Sequence, residues 1–225
     1  MVFSFGDFDA YYVSLDDDIK KHSEADDTIT PCSQDQTISL EEKIDLLKMV
    51  LNNDHNNISN STCRRRQINV FDLKTFCKLL HLGIGISVQQ TDYVKFFDPK
   101  VAAWMLEPEA DKGDNGMNLA KMIMKFKPQL VGLLETLGSS NGRSSVAMNP
   151  QISSIKTKSP RSRAIAECVL VNHLAPALTT KLKDCGLTQS FEKIEMPALI
   201  SLVNMDLNGF GFDLDECDRQ RKVVV

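Results

Sequence analysis

The chain has 225 residues, of which 42% are hydrophobic and 25% charged, and its formal net charge is −4 at pH 7. This length is enough for one or two domains with a sizeable core. No apolar run approaches the roughly 18 residues that a membrane span needs, and the N-terminus has no features of a secretory signal. The six cysteines form no CxxC pair. We therefore expect reduced thiols in the cytosol or nucleus rather than a disulfide framework or a membrane protein.

The charge is distributed unevenly. Residues 1–62 carry 13 acidic and 4 basic side chains, a balance of −9, so the remainder sums to +5. An acidic chain is not built to bind nucleic acid by its overall charge, so any such contact needs a local patch. The segment 139–163 is the one candidate, because it contains basic residues and no acid. A solvated linker is the favoured interpretation; a nucleic-acid-contacting loop and a phosphorylation-controlled segment around Ser159 are the alternatives.

The N-terminal part predicts a hairpin and then a capped helix. Residues 2–15 contain two stretches rich in strand formers on either side of a Gly-Asp-Phe-Asp turn. The acidic segment 16–37 is typical of a flexible loop. Ser39 and Glu42 have the spacing of a capping box, so a helix is expected to begin there. The Asn-rich segment 52–63 predicts a second flexible loop.

The middle of the chain predicts strands that alternate with helices. A short strand over 67–71 precedes a helix over 72–81, which Gly83 is expected to cap. A second strand, over 93–97, precedes a helix with Asp98 as its N-terminal cap and a proline at its first position. Units of this kind are typical of a mixed or parallel sheet, so the expected class is α/β.

The C-terminal half predicts helices on both sides of a long loop. Partly helical patterns over 117–137 precede the Ser/Gly/Asn/Pro-rich segment 138–160, which is expected to be flexible. A helix over 161–183 follows, kinked or divided near Pro176. A last helix over 188–207 is expected to stop at an Asn-Gly pair.

Two acidic patterns resemble metal sites, yet each has a simpler interpretation. Asp7 and Asp9 could form a metal-binding pair, but aspartate is an ordinary turn residue, so a turn is favoured. The run from Asn204 to Asp215 imitates a calcium loop, although Asn replaces the first Asp and Phe212 offers no oxygen at the ninth position. A helix end followed by a tight turn is favoured for this run.

Motif chemistry alone predicts no enzyme. The sequence has no GxSxG motif, no phosphate-binding loop and no GxGxxG motif, and nothing indicates a base for a cysteine nucleophile. No histidine has a partner at ligand spacing, so no metal site is expected. The dispersed histidines are His22, His55, His81 and His173.

Several blocks nevertheless resemble family A DNA polymerases. Residues 191–199 contain an E-[LM]-P helix and residues 208–212 a glycine turn, in the pattern that opens the polymerase domain of that family. The blocks 9–24 and 98–108 resemble repair polymerases of the same family. The resemblance covers nearly the whole chain except two insert-like loops.

The resemblance implies an architecture in two parts. Residues 1–187 would form a 3′–5′ exonuclease-like domain, with a ribonuclease-H-like mixed sheet and flanking helices. Residues 188–225 would be helices that begin a polymerase domain, which is expected to be truncated. The first strand of the exonuclease-like sheet, which carries a D-x-E motif in active members, is expected to be missing.

Active exonucleases of the family hold two metal ions with a set of acidic residues. The resemblance places their N-x-x-x-D motif on Asp72 to Phe76, where phenylalanine replaces the metal-binding aspartate. It places their Y-x-x-x-D motif on Ser162 to Ala166, where both the tyrosine and the aspartate are absent. A shift in the alignment would place only one acidic residue, Glu167, at a metal-binding position, and one acid does not make a two-metal site. The resemblance therefore implies a catalytically dead fold without a metal site.

The parent protein implied by the resemblance is a nuclear, Mg²⁺-dependent DNA polymerase that joins broken ends through short homologies and copies damaged template. The chain itself lacks the palm carboxylates and fingers helix, so we expect neither polymerisation nor nuclease activity, and no cofactor, small-molecule substrate or membrane. It would be a scaffold for the rest of the polymerase chain. A live exonuclease, a related repair polymerase and a free-standing interaction module are the alternatives. The candidate DNA contacts are Lys156, Lys158, Arg161 and Arg163.

Overall fold

The structure is a computed structural model that describes residues 1–6, 8–15, 38–52, 66–88, 94–111, 118–135, 160–209, 211 and 213–224. Its strands are β1 (Val2–Ser4), β2 (Ala10–Tyr12), β3 (Arg66–Asn69) and β4 (Val94–Phe97). Its α-helices are α1 (Leu40–Asn52), α2 (Leu73–Ile84), α3 (Pro99–Leu106), α4 (Leu119–Phe126), α5 (Val131–Glu135), α6 (Pro160–Asp184), α7 (Thr188–Ser190), α8 (Met196–Asn208) and α9 (Leu214–Val224). The predicted loops 16–37, 52–63 and 138–160 lie outside the described residues, apart from residues 52 and 160.

The first two strands form the predicted antiparallel hairpin. Val2 lies opposite Tyr12, and Ser4 lies opposite Ala10. The ladder continues one residue further, because the amino group of Met1 donates to the Val13 carbonyl at 2.7 Å and the Val13 N–H donates to the Met1 carbonyl at 2.8 Å. The prediction of a hairpin over 2–15 is confirmed.

β3 and β4 form a second, parallel sheet, with α2 in the connection between them. Arg66 lies opposite Val94, and Asn69 lies opposite Phe97. β4 is almost entirely buried, as is usual for a parallel strand covered on both faces. The chain is thus of mixed α/β class and mostly helical. Among the described residues no strand joins the two sheets into the larger mixed sheet that the family resemblance implies.

Local capping signals place two helix starts where the sequence predicts them. At α1 the Glu42 N–H donates to Ser39 Oγ at 3.2 Å, and the Ser39 N–H donates to the Glu42 carboxylate at 2.9 Å. At α3 the Asp98 side chain accepts from the Lys100 N–H at 2.8 Å, with Pro99 at the first helical position. Both predicted caps are confirmed.

The predicted end of α2 is wrong, because the helix ends three residues later than predicted and its capping glycine lies two residues further along. The helix passes through Gly83 and stops at Gly85, which has φ of 67° and donates its N–H to the His81 carbonyl at 3.1 Å. This left-handed conformation favours glycine because it has no Cβ. The longer helix brings the following Ile86 into the core, where it is 1% exposed.

The long helix α6 is continuous across Pro176 instead of being divided there. Leu174 and Leu178, one on each side of the proline in sequence, are both fully buried. The proline removes one backbone hydrogen bond, but the common core holds both halves of the helix in place. α6 packs against both β1 and β3, and it therefore forms a common support for the two sheets.

A single hydrophobic cluster extends from α1 to α8. It contains Leu73 of α2 and Leu174 of α6, and also Met196 and Val203 of α8, so it continues across the expected domain boundary at residue 187. By contrast, α9 is largely exposed. Among the described residues there is no helix with both the length and the apolar character needed to cross a bilayer.

Candidate functional site

A cavity of about 430 Å³ lies between α2 and α6, beside the two segments on which the resemblance places the exonuclease motifs. Phe76 of α2 lines it, and so do Ala164 and Glu167 of α6. The fold therefore brings to one place the two segments that the resemblance identifies as motif positions. Side chains and backbone of β1, β3 and the end of α1 complete the lining.

Two of the motif positions are apolar. Phe76 lines the cavity, and both Phe76 and Ala166 pack against the hydrophobic core, so neither side chain offers an oxygen to a cation. Ser162 lies in α6, but its side chain is outside the described residues. In the part of the chain that the structure describes, no group of three or more His, Cys, Asp or Glu is arranged to hold a metal ion.

Asp72, the first residue of the same motif, has a structural role away from this cavity. Its backbone is left-handed, with φ of 56°, and its carboxylate accepts from the Thr75 N–H at 3.3 Å, which caps α2. The carboxylate also pairs with Lys100 Nζ at 3.0 Å, beside a second cavity of about 230 Å³. Burial opposes its ionisation, but the hydrogen bond and charge of Lys100 hold the pKa of Asp72 below its usual value.

Asp98 is the one polar side chain among the buried residues of the described structure, at 2% exposure. Its carboxylate accepts three backbone N–H groups, from Leu73 at 2.8 Å, Lys100 at 2.8 Å and Asp72 at 3.2 Å. It therefore joins the N-termini of α2 and α3. Burial raises the pKa of Asp98 to about 6, even though the three donors favour the charged form. Sequence spacing predicts the cap of α3 but not the bonds to α2.

Arg163 and Glu167 form an ion pair on the first part of α6, with Nε and Oε1 3.0 Å apart. Burial raises the pKa of Glu167, while the neighbouring guanidinium acts against this rise. The Arg163 side chain is 17% exposed and is oriented towards Glu167. Of the other candidate DNA contacts, Lys156 and Lys158 lie outside the described residues, as does the side chain of Arg161. DNA contact by these four residues stays a prediction.

Asn172 of α6 connects the two sheets, which sequence reasoning missed. Its Nδ2 donates to the Gly6 carbonyl at 3.0 Å, and its Oδ1 accepts from Asn69 Nδ2 at 3.3 Å. Both partners are more than a hundred residues away in sequence. No local pattern could have indicated this role.

The acidic run that imitates a calcium loop belongs to a helix and its end. α8 continues to Asn208, and Gly209 follows with φ of 67°. Asp206 forms ion pairs with Lys74, at 2.8 Å, and with Lys78 of α2. Hydrogen bonds from these two lysines hold the pKa of Asp206 below its usual value. Its carboxylate thus links α8 to α2. Asp7, of the predicted N-terminal metal pair, and Phe212, of the calcium-loop pattern, lie outside the described residues.

The two described histidines contact different residues. His81 Nδ1 lies 3.1 Å from Ser87 Oγ, and the His173 ring lies 4.7 Å from the Phe8 ring. His22 and His55 are outside the described residues.

Comparison with known proteins gives the family. No family model matches the chain. Over 221 residues, 98% of its length, the chain is 31% identical to DNA polymerase theta of Mus musculus. Over 119 residues, 52% of its length, it is 33% identical to DNA polymerase theta of Drosophila melanogaster. It spans only 8% and 5%, respectively, of the lengths of these two proteins. The similarity along nearly its whole length shows that the chain belongs to the DNA polymerase theta family, in which it corresponds to one short segment.

Proposed function

We propose that the chain is the exonuclease-like part, together with the beginning of the polymerase domain, of a family A polymerase that acts in DNA repair. The observation that carries this proposal is the similarity to DNA polymerase theta over 98% of the chain. In the whole protein, the repair reactions would be end joining through short homologies and synthesis across damaged template, in the nucleus. DNA and the rest of the polymerase chain would be its partners, and Mg²⁺ would serve the polymerase part.

Within that protein the segment would be a scaffold without nuclease activity. Phe76 and Ala166 support this role because both are apolar at positions where the resemblance implies the carboxylates of a two-metal nuclease. The contact between the two expected parts also supports it: Met196 and Val203 of α8 are buried in the same core as Leu73 of α2. A support of this kind would hold the start of the polymerase domain in a fixed position.

A nuclease assay tests the loss of activity. We expect the chain to leave a 5′-labelled single-stranded oligonucleotide at full length in Mg²⁺ or Mn²⁺, and to extend no primer. The reason is that Phe76 and Ala166 are apolar at positions where the resemblance implies metal-binding carboxylates. Metal-dependent shortening of the oligonucleotide that Glu167→Gln or Asp72→Asn abolishes would contradict the proposal. Asp45→Asn is the matched control, because this exposed carboxylate lies on α1, away from the cavity lining.

Two related assignments compete with this one. A polymerase nu-like repair protein would share the family, and a free-standing pseudo-exonuclease would act as a binding module. Sequencing the transcript through both ends of the reading frame separates these alternatives. A helicase-like region upstream and palm carboxylates downstream would support the theta-type protein, whereas stop codons at both ends would support the free-standing module.

A further inference from the structure

A buried hydroxyl group in the described structure lacks a hydrogen-bond partner. Thr188 Oγ1 is shielded from solvent, and none of the described residues donates to it or accepts from it. Thr179 and Ser201, by contrast, donate to the carbonyl four residues earlier in their helices, at 2.8 and 3.1 Å. Thr188 lies two residues after Gly186, whose left-handed backbone (φ of 71°) interrupts the helix, so no such carbonyl is available to it. A buried hydroxyl is normally paired with protein or with ordered water.

Thr188 lines a small cavity of about 30 Å³, formed by residues of β3, β4, α6 and the helical segment that follows α6. Thr179 of α6 and Gln67 of β3 contribute polar groups to the lining. The Thr179 hydroxyl donates to the Ala175 carbonyl at 2.8 Å, so its oxygen keeps lone pairs that can accept a hydrogen bond. The buried part of the wall consists of core side chains, namely Phe96, Phe97, Leu182, Phe191 and Met196.

The helix is locally widened beside this cavity. Between Phe191 and Glu195 it forms a π turn, in which the Met196 N–H donates to the Phe191 carbonyl five residues earlier. The Phe191 ring lies 4.9 Å from the Phe97 ring, a contact that holds the π turn against β4. The cavity therefore lies where the two expected parts of the chain meet, beside a turn that packing against the core keeps in place.

The solvent side of the cavity is formed by a pair of charged side chains. Lys95 and Glu192 both line it, and they are 41% and 44% exposed. Lys95 Nζ and Glu192 Oε2 lie 2.7 Å apart, so the two side chains are tied to each other at the rim. This ion pair would slow the exchange of a small molecule between the cavity and the solvent.

We propose that this cavity binds one ordered water molecule, which accepts a hydrogen bond from the Thr188 hydroxyl and donates one to Thr179 Oγ1. The volume suits a single water, which takes up about 30 Å³ in the liquid, and leaves no room for an organic ligand. Polar groups decide whether so small a cavity is hydrated, and Gln67 offers a third one. The water would join α6 to the π turn across the expected domain boundary. This proposal rests on the unpaired hydroxyl and the cavity, and it is independent of the proposed function.

Relaxation dispersion of water ¹⁷O tests the site, because it counts the water molecules that a protein holds for longer than surface water. On the full chain we expect Thr188→Val to lose about one long-lived water relative to wild type, since valine has the shape of threonine but no hydroxyl. Thr188→Ser keeps the hydroxyl and should keep the water. Thr180→Val is the matched control, because the Thr180 hydroxyl is exposed, donates to the Pro176 carbonyl and lies outside the cavity lining. Its count should equal that of wild type.

Glu192→Ala provides a second measurement at an exposed position. Removing this carboxylate opens the rim, so the water should exchange faster and its long-lived signal should be lost. If Thr188→Val failed to fold, this comparison would decide alone, and a retained signal would overturn the proposal. An unchanged count in a folded Thr188→Val would overturn it too, because the hydroxyl would then hold no water. Equal losses in Thr188→Ser or Thr180→Val would also overturn it, because the Thr188 hydroxyl would not be the cause.

Discussion

At the scale of single residues, Asp98 is unusual because it is a carboxyl group buried in the core of the described structure. It is 2% exposed, and it ionises in a site where burial opposes charge. Its three backbone donors are the first amides of two helices, which favour a negative charge at this position. The raised pKa means that burial outweighs these donors, so the protonated form is favoured in the folded protein relative to the unfolded chain.

This shift predicts a pH dependence of stability. A carboxyl whose pKa is about 6 when folded and 3.8 when unfolded contributes stability below pH 4, and this contribution is lost as the pH rises through 6. The shift corresponds to about 3 kcal/mol. We therefore expect the difference in unfolding free energy between wild type and Asp98→Asn to fall by about that amount from pH 4 to pH 7. Urea denaturation at several pH values, followed by circular dichroism, measures it.

The exposed Asp45 provides a control substitution of the same chemistry. Asp45→Asn should change the free energy of unfolding at pH 7 by less than about 0.5 kcal/mol, because its side chain is 73% exposed. A wild-type advantage over Asp98→Asn that grows with pH would show that the three donors outweigh burial and would reverse the sign of the linkage. A constant advantage would show that the two effects cancel and would also contradict the prediction.

At the scale of elements, α6 is the centre of the fold. It packs against β1, β2, α3 and α4, so its packing affects most of the molecule. Its buried face includes Leu174 and Leu178, which are both fully buried. Truncating such a side chain removes apolar contacts and leaves a cavity that neighbours on several elements cannot fill.

We expect Leu174→Ala to lower the free energy of unfolding by about 3 kcal/mol, within the usual range for buried leucines. Thr180→Ala is the matched control on the same helix. Thr180 is exposed and its hydroxyl donates only to the Pro176 carbonyl, at 3.0 Å, so the change should stay within about 0.5 kcal/mol. Urea midpoints at constant m-value measure both effects. If both substitutions lowered the free energy of unfolding by the same amount, the buried face of α6 would not make the contribution to the core that we expect.

At the scale of the whole molecule, the hydrophobic core extends across the expected domain boundary at residue 187. Met196, Ile200 and Val203 of α8 are buried against residues that precede the boundary. The ion pairs of Asp206 with Lys74 and Lys78 add to the same contact. The two expected parts are therefore one packing unit, whatever their evolutionary division.

Truncation tests this unity. Ending the chain after Leu187 exposes the apolar surface that α8 covers, so we expect increased binding of the dye ANS and loss of a single cooperative unfolding transition. Ending it after Gly209 removes the exposed α9 together with the residues that connect it to α8, and it should leave the transition unchanged. A cooperative transition with low dye binding for the shorter chain would show that residues 1–187 fold by themselves.

Sequence patterns predict those parts of this fold that depend on near neighbours. The cap at Ser39, the cap at Asp98 and the hairpin each involve residues close in the chain, and all are confirmed. The end of α2 is missed because either Gly83 or Gly85 could cap the helix, and the cap at Gly85 is the one that lets Ile86 enter the core. Helix ends are therefore predictable from sequence where only one capping residue is available.

The candidate site was predictable only in part. A family resemblance locates Phe76 and Ala166, and the structure brings their two helices to one cavity. Two features of the site depend on residues that are 25 to 166 positions apart in sequence. They are the contact of Asn172 with both sheets and the hydrogen bonds from the start of α2 to Asp98. Such contacts are set by how the elements pack, so no spacing rule finds them.

The double role of Asp98 has a consequence for how the molecule opens. A helix end normally frays by itself, because the cap that holds it serves no other element. Here one carboxylate holds the first turns of both α2 and α3. Loosening either turn leaves the other with a buried carboxylate that has lost part of its hydrogen bonding. We therefore expect the first turns of the two helices to open cooperatively, although Asp72 gives α2 a second cap of its own.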